Sequence, residues 1–392
     1  MSHLLTLNAG SSTLKFGVFE PGSPDPVDRA TGIVDRIGSE DGAVKLKAAD
    51  GTVLADRTGI TVADHHAAVD AVLTLVQESF PSAEIAAVGH RVVHGGPDLD
   101  QPQRLTREFV DQLRQYEPFA PLHQPHNLAG VIAAMDRFPK AVQVACFDTA
   151  FHRCHPWESD TYALPRAYYD KGVRRYGFHG LSYHYIAGHL AQEEPDLYAG
   201  RVVVAHLGNG ASLCGMKGGK SVASTMGFSA LDGLAMGTRT GQLDPGVLLY
   251  LMQQEGLSGD RIVKLLYKES GLLGLSGVSN DMRTLQASEN PHAAQAVSYF
   301  ATRIAREIGA MAADLGGVDA LVFTAGIGEN SSHTREAVCA RLGFLGLSID
   351  AVQNENRARD LSASPTGPRV LVIPTNEELV IARAAAAELI AA

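Results

Sequence analysis

Four residue types stand in surroundings that single them out for chemistry. Arg91 lies in Gly89-His90-Arg91-Val92-Val93-His94-Gly95-Gly96, where it interrupts an otherwise apolar run. A charge between valines is costly unless it is paired. The planar fork of Arg91 suits bidentate recognition of a carboxylate or phosphate, and equally an ion pair with a nearby acid. Asp148 follows the apolar run Val142–Phe147, at the carboxyl end of an expected strand, where open α/β sheets place their ligands. A metal or substrate contact and a turn or N-cap aspartate are both open to it. Arg239, in Met236-Gly237-Thr238-Arg239-Thr240-Gly241, sits between glycines that leave room for another group, or is a solvated loop arginine. His179, in Tyr176-Gly177-Phe178-His179-Gly180, precedes a helix that Ser182 is expected to cap. A histidine there can donate to developing negative charge or serve as a hydrogen-bonded structural residue. Asp281 and Arg283 either contact a nucleotide or open the next helix, and Glu377 with Glu378 suits a helix N-terminus as well as a metal.

Glycine turns accompany these side chains. Asn8-Ala9-Gly10-Ser11-Ser12 separates two strand-like runs, 4–7 and 14–19, and Gly208-Asn209-Gly210-Ala211-Ser212 follows the run 202–207 in the same plan half a chain later. Such a repeat fits a duplicated hairpin whose backbone N–H groups face phosphates, or a chance pair of turns rich in the usual turn residues. A third site, Leu321 to Asn330, runs an apolar strand into Gly326-Ile327-Gly328 but has Ser331 where a dinucleotide fingerprint needs its last glycine; Gly219-Lys220-Ser221 ends like a P-loop, yet Cys214 stands where the first glycine belongs. Together the arginines, phosphate-type hairpins, strand-end carboxylates and histidine suit phosphoryl transfer, where catalysis is mainly positioning and charge neutralisation.

The elements that must position them read as strands alternating with helices. Apolar runs at 85–88, 142–147 and 202–207 suit buried strands, 43–55 a hairpin around Ala49-Asp50-Gly51, 66–80 a helix ending before Pro81, and 369–373 a strand leading through Pro374-Thr375-Asn376-Glu377-Glu378 into an Ala-rich helix. Asp244-Pro245 reads as an N-cap followed by the first helical residue. Alternation of this kind means a layered α/β architecture. At 392 residues the chain exceeds one typical domain, so two are expected. A formal charge of −10 argues against a nucleic-acid or anionic-membrane partner, so any anionic ligand must meet a local basic site. Cys146, Cys154, Cys214 and Cys339 lack zinc or disulfide spacing, and there is no signal-peptide pattern or long apolar run, which fits a cytoplasmic protein.

Along nearly its whole length the chain resembles the acetate kinase family. The carrying stretches are NAGSSTLKF from Asn8, GHRVVHGG from Gly89, FDTAFH from Phe147, RYGFHG from Arg175, HLGNGAS from His206, MGTRTG from Met236, SGVSNDMR from Ser276, AGIGEN from Ala325 and PTNEE from Pro374. The resemblance implies an α/β, two-domain fold of the actin, Hsp70 and hexokinase superfamily, a duplicated ribonuclease H-like plan. It implies a homodimer, and reversible transfer of the ATP γ-phosphoryl to acetate with Mg²⁺ or Mn²⁺. Domain boundaries are expected at 1–148 plus 378–392 for the acyl-kinase domain and 149–377 for the nucleotide-binding and dimerisation domain, the two closing over ATP. Carried over by position, Asn8 and Glu377 match magnesium-associated residues and Lys15 a nucleotide contact. Arg91 matches the residue holding the substrate carboxylate, Asp148 the acid assigned to proton or metal handling, and His179 with Arg239 the pair stabilising the transition state. His206, Leu207, Gly208, Asn209 and Gly210, then Asp281, Met282 and Arg283, then Gly326, Ile327, Gly328, Glu329 and Asn330 match three ATP-binding stretches. Val93, Leu122, Phe178 and Ala230 match the pocket for the acetate methyl.

Ala230 replaces a proline common in relatives, Thr13 a serine, and Gln124 with His126 alters an LHNPAN run. A methylene in an apolar pocket is worth only ~1–3 kcal/mol, so a roomier wall at Ala230 is expected to admit propionate; a propionate kinase or broader short-chain acyl kinase is the alternative activity. From a different class, an actin-like or Hsp70-like nucleotide switch shares the hairpins but has no use for two carboxylate-clamping arginines. Acetate, with a carboxylic pKa near ~4–5, is ionised at neutral pH and needs no general base, which favours Asp148 as a positioner.

Overall fold

The computed structural model describes residues 2–10, 13–22, 25–121 and 123–390. It divides into two units, Met1–Arg153 with Asn376–Ala392, and Cys154–Thr375.

Unit 1 is built on one mixed sheet of eight strands: β1 Ser2–Ala9, β2 Thr13–Glu20, β3 Val27–Asp35, β4 Ser39–Ala48, β5 Val53–Val62, β6 Glu84–Val92, β7 Gln103–Arg104 and β8 Val142–Phe147, in the order β5-β4-β3-β2-β1-β6-β8-β7. The strands β1 to β5 form antiparallel neighbours, whereas β1, β6 and β8 run parallel. Side-chain alternation assigns the faces. Leu5 and Leu7 turn to the layer formed with the helix His65–Ser79, and Leu4 turns to the layer formed with the C-terminal helix Glu377–Ile390. That Ala-rich helix lies tight against β6: a Cβ on Gly89 would stand 2.4 Å from Ile381 Cγ2 and 3.0 Å from its carbonyl oxygen, so glycine is required there by close approach.

Unit 2 carries five strands, β9 Arg201–Leu207, β10 Ala211–Lys217, β11 Lys220–Ser224, β12 Ala320–Thr324 and β13 Arg369–Val372, in the order β11-β10-β9-β12-β13. Its 25-residue helix Pro291–Leu315 buries an apolar stripe and ends at Gly316 in the left-handed region. Each sheet contains an antiparallel hairpin followed by two parallel strands, β2-β1-β6-β8 in one and β10-β9-β12-β13 in the other. The repeat of the two Asn/Gly/Ser turns is thus a repeat of topology, although Ser11 and Ser12 of the first turn lie outside the described residues. The strand β3 is absent from the sequence expectations, and the hairpin expected at 43–55 extends to Ser39–Ala48 and Val53–Val62. No helix among the described residues is long and apolar enough to cross a membrane.

One buried pair makes unit 1 acid-labile. His90 on β6 and Gln143 on β8 share a 2.8 Å hydrogen bond out of water, and burial pushes the His90 imidazole down to about 4. A folded value below the unfolded one means that the unfolded chain binds more protons, so the contribution is complete above pH ~6.5 and lost as pH falls toward 4. The shift corresponds to about 3 kcal/mol. Melting temperature measured against pH should fall through that window, and His90→Gln should flatten the slope; an unchanged slope in His90→Gln would contradict it.

Candidate active site

Three adjacent parallel strands of unit 1 end together, and their last residues form one network. Arg91 is on β6, Asp148 follows β8, and Asn8 is on β1. Arg91 Nε donates to Asp148 Oδ1 at 2.9 Å and Nη2 to Oδ2 at 2.5 Å, while Nη1 reaches Asn8 Oδ1 and the Ala9 carbonyl, both at 3.3 Å. Asn8 Nδ2 then donates to Glu377 Oε2 at 2.8 Å and to Glu378 Oε1 at 3.1 Å. The side chain of Arg91 is 15% exposed and that of Asp148 1%. Burial works against the guanidinium charge, but Asp148 and the two glutamates outweigh it and hold Arg91 firmly protonated. The ion pair with an acid, one of the two readings left open for Arg91, is present, and the acid is Asp148, itself singled out in the sequence. The 3₁₀ turn that follows Asp148 begins with Thr149 at its cap position. Among the described residues, four of the five Arg91 N–H groups are committed to protein, which leaves the second Nη2 hydrogen for a ligand.

Val93 is buried beyond the end of β6, its N–H donating to Asn127 Oδ1 at 3.0 Å. Gln124, one of the departures from the family run, clamps the next residue from both sides: its Oε1 accepts from His94 N at 3.1 Å and its Nε2 donates to the His94 carbonyl at 3.0 Å. His126, the other departure, stacks on His65 at 4.6 Å between ring centres. Lys15, exposed on β2, pairs in register with Asn8. Leu122 lies outside the described residues.

In unit 2 the sequence-nominated stretches border a cleft of about 600 Å³. Gly208 and Asn209 from the β9-β10 turn line it, with Asp281, Met282 and Arg283, and with Gly326, Ile327 and Asn330. His206, Leu207 and Gly328 are buried behind it, and Glu329 Oε1 accepts from Ala325 N at 2.8 Å. Asp281 does open a helix: its carboxylate accepts from Arg283 N and Thr284 N and is gripped by the Arg283 side chain, which holds it down to about 2. Ala325 joins β12 to the helix Ala325–Asn330 at φ +64°, a left-handed conformation costly for a residue with a Cβ. Four lining residues escaped the sequence reading: Asn280, Gln286, Ser331 and Arg357. Ser331 was visible as the residue that broke the glycine fingerprint; Arg357, at φ +53°, left no signal in the sequence.

His179 occupies the N-cap position of the helix Gly180–Glu193 at φ +58° and ψ +24°, with no side-chain cap. The expected cap, Ser182, is instead buried in the first turn, three residues past the cap position that His179 takes, with its hydroxyl 2.9 Å from His206 Nδ1. Asp244, by contrast, caps the helix Pro245–Gln253 through Gly246 N at 2.7 Å. Arg239 is half-buried, its Nη1 anchored 2.9 Å from the Ala230 carbonyl, so it is not a freely solvated loop arginine. A Cβ on Gly210 would stand 3.3 Å from His179 Nε2 and 4.0 Å from Arg239 Nη1. The two side chains therefore converge on the glycine turn that also gives Gly208 and Asn209 to the cleft. Phe178 is fully buried, and Ala230 lies on the loop that anchors Arg239.

Gly237 ties this loop to the cleft. Its N–H donates to the Asn209 carbonyl at 3.1 Å, and a Cβ there would stand 2.0 Å from Asn209 Oδ1. Gly237→Ala should push the Asn209 side chain off its seat, raising KM for a nucleotide about tenfold (~1.4 kcal/mol) with the second substrate unaffected; initial rates with each substrate varied in turn check this.

Comparison with known proteins gives one consistent result. The sequence profile of the Acetokinase family matches residues 3–383. A protein named acetate kinase from Methylocella silvestris is 50% identical over 388 residues, covering 97% of this chain and 96% of that protein. The crystal structure of Porphyromonas gingivalis acetate kinase superposes with a TM-score of 0.84 at 40% identity, covering 97% of this chain and 98% of that one. A propionate kinase from Francisella tularensis superposes with a TM-score of 0.89 at 34% identity, covering 98% and 99%.

Proposed function

The chain belongs to the acetokinase family, and from that membership and the two residue sets we propose that it transfers the γ-phosphoryl of ATP to acetate, reversibly, giving acetyl phosphate and ADP. Its fold is the two-domain, actin and hexokinase-like one of the acetate and propionate kinases. The observation that carries the reading is the convergence of His179 Nε2 and Arg239 Nη1 on Gly210, beside a cleft large enough for a nucleotide.

The chemistry follows from charge. An acetate anion has to approach an anionic phosphate, so the protein's task is to offset repulsion and to hold the reacting atoms in line. The remaining Nη2 hydrogen of Arg91 takes one acetate oxygen, while Asp148 keeps the guanidinium plane fixed. Asp148 is no general base in this scheme: its two oxygens are engaged by Arg91, and the nucleophile has no proton to lose. With the Gly208 N–H held by the Gly210 carbonyl at 3.0 Å, the N–H groups of Asn209 and Gly210 are the ones the turn offers to the phosphates, and Arg239 and His179 stabilise the charge on the transferring group. Val93, Phe178 and Ala230 supply apolar contacts for the methyl.

Mg²⁺ fits the oxygen donors of unit 1. Glu377 and Glu378 converge on Asn8 within 3.1 Å, whereas no group of three His, Cys, Asp or Glu capable of holding a metal occurs among the described residues. One or two carboxylates completed by phosphate and water is the usual setting for this ion. Glu377, with Glu378 beside it, would hold it; bound there, it would neutralise phosphate charge.

The helix Pro245–Gln253 supports a homodimer. It buries none of its residues, and Leu249, Tyr250 and Met252 are each more than half exposed, an apolar face that a second copy would cover. The same reading places the protein in the cytoplasm, in keeping with four free cysteines.

The test is hydroxylamine trapping of acyl phosphate by purified protein with ATP, Mg²⁺ and either acetate, propionate or butyrate. Acetate should dominate. A propionate maximum would transfer the assignment to a propionate kinase and point to Ala230; no product from folded, ATP-binding protein would overturn the assignment.

A further inference from the structure

The geometry points to Ser212 and Tyr183 as a positioning pair that holds His179 in its Nε2–H tautomer, so that the ring N–H faces the transferring phosphoryl group. This rests on the phosphoryl-transfer reading above and deepens it by assigning residues outside the sequence-nominated set.

His179 Nδ1 lies 2.8 Å from Ser212 Oγ, and Ser212 Oγ lies 2.5 Å from the Tyr183 hydroxyl. Tyr183 is one helical turn beyond His179, and its own N–H donates to the His179 carbonyl at 3.1 Å, so the helix start fixes both rings together. Ser212 comes from β10, directly after the glycine turn. Ser212 and Tyr183 sit within regular elements, and His179 is the N-cap residue of the helix that carries Tyr183.

A hydroxyl has one hydrogen to give. Burial pushes the Tyr183 phenol well above its usual range, so it remains a donor. When it donates to Ser212, the Ser212 hydrogen goes to His179 Nδ1, which must then be a lone pair, and the proton of the neutral ring sits on Nε2. The opposite direction of the chain would aim an Nε2 lone pair at an anion. Nε2 is the nitrogen that, with Arg239 Nη1, approaches Gly210.

A second histidine repeats the arrangement. His206 stacks on His179 with ring centres 4.2 Å apart and planes 19° apart, and its Nδ1 is 2.9 Å from Ser182 Oγ. Two stacked imidazolium rings would repel each other, and Arg239 adds a third positive charge at the same turn. With neutral rings, the donor ability of Nε2 depends on tautomer alone, and the hydroxyl behind Nδ1 decides it.

The experiment pairs kinetics with ¹⁵N NMR of the full-length chain labelled at histidine, His179→Gln assigning the resonance. Ligand-free native protein should show His179 protonated on Nε2 and bare on Nδ1. Ser212→Ala should lower kcat about 10- to 100-fold, as removal of an orienting hydrogen bond behind a functional side chain does, with both KM values within about twofold. Ser212→Thr, which keeps the hydroxyl, should recover most of the rate, and Tyr183→Phe should lose about tenfold. A proton on Nδ1 in the native protein, or an unchanged kcat in Ser212→Ala, overturns the inference. If Ser212→Ala does not fold, Tyr183→Phe, which deletes one oxygen, decides in its place. Absence of acyl phosphate from the native enzyme would sink the functional reading while leaving the tautomer measurement intact.

Discussion

Replacing Arg239 with alanine is expected to lower kcat about 10²–10³-fold, the usual cost of deleting one preorganised stabiliser of transition-state charge, and His179→Ala should fall in the same range. The expectation follows from where the two groups are held. Arg239 Nη1 is anchored to the Ala230 carbonyl at 2.9 Å and lies 3.7 Å from Met236 Sδ, so the loop Met236 to Gly241 aims the guanidinium. His179 is set at a left-handed residue at the helix start, a conformation that costs energy and that the surrounding hydrogen bonds maintain. Both approach Gly210, where a side chain would stand in the way. Because they act on one developing charge, the double variant should lose less than the product of the single losses. Arg239→Lys should not restore the rate, since an ammonium lacks the fork that keeps a second donor on the phosphoryl oxygens while the first stays on Ala230. Steady-state rates of acyl phosphate formation decide the matter: activity within about twofold of native in either alanine variant would remove that residue from the mechanism.

Much of this was readable from residue order, and the remainder depends on partners far apart in sequence. Strand ends at Arg91 and Asp148 could be placed because apolar runs preceded them, yet their mutual pairing needed the register of β6 against β8, which no local periodicity encodes. The two Asn/Gly/Ser turns announced a duplication that the paired sheet orders display. Ser182 misled because serine near a helix start usually caps it; here a left-handed histidine takes the cap position and the serine serves His206. Arg357 and Gln286 reach the cleft from segments whose composition is that of ordinary surface, so only the folded chain reveals them. Ser212 belonged to a recognised turn, but its service to His179 depends on a tyrosine 29 residues away.

The buried pair Arg91–Asp148 should be the most stability-sensitive point in unit 1. Removing one partner leaves the other charged out of water, which typically costs about 3–5 kcal/mol. Asp148→Ala strands a guanidinium that, among the described residues, keeps Asn8, the Ala9 carbonyl and the more distant Glu377 and Glu378. Arg91→Ala removes the bidentate donor from a carboxylate that is 1% exposed. For a unit of this size the loss should appear as a fall of roughly 10 °C in melting temperature. A pair of apolar substitutions of similar volume, Arg91→Met with Asp148→Leu, removes both charges, and the double variant should regain most of the stability, because the attraction between the partners largely repays their desolvation and little more. Activity should behave differently. Neither single variant nor the double one retains a fixed guanidinium for the acetate carboxylate, so all three should lose at least ~10²-fold in kcat/KM. Thermal unfolding and hydroxylamine trapping on the same four proteins separate the two roles. Recovered stability with recovered activity would mean that the pair is scaffold alone, and single variants as stable as native would mean that the charges are better solvated than their burial indicates.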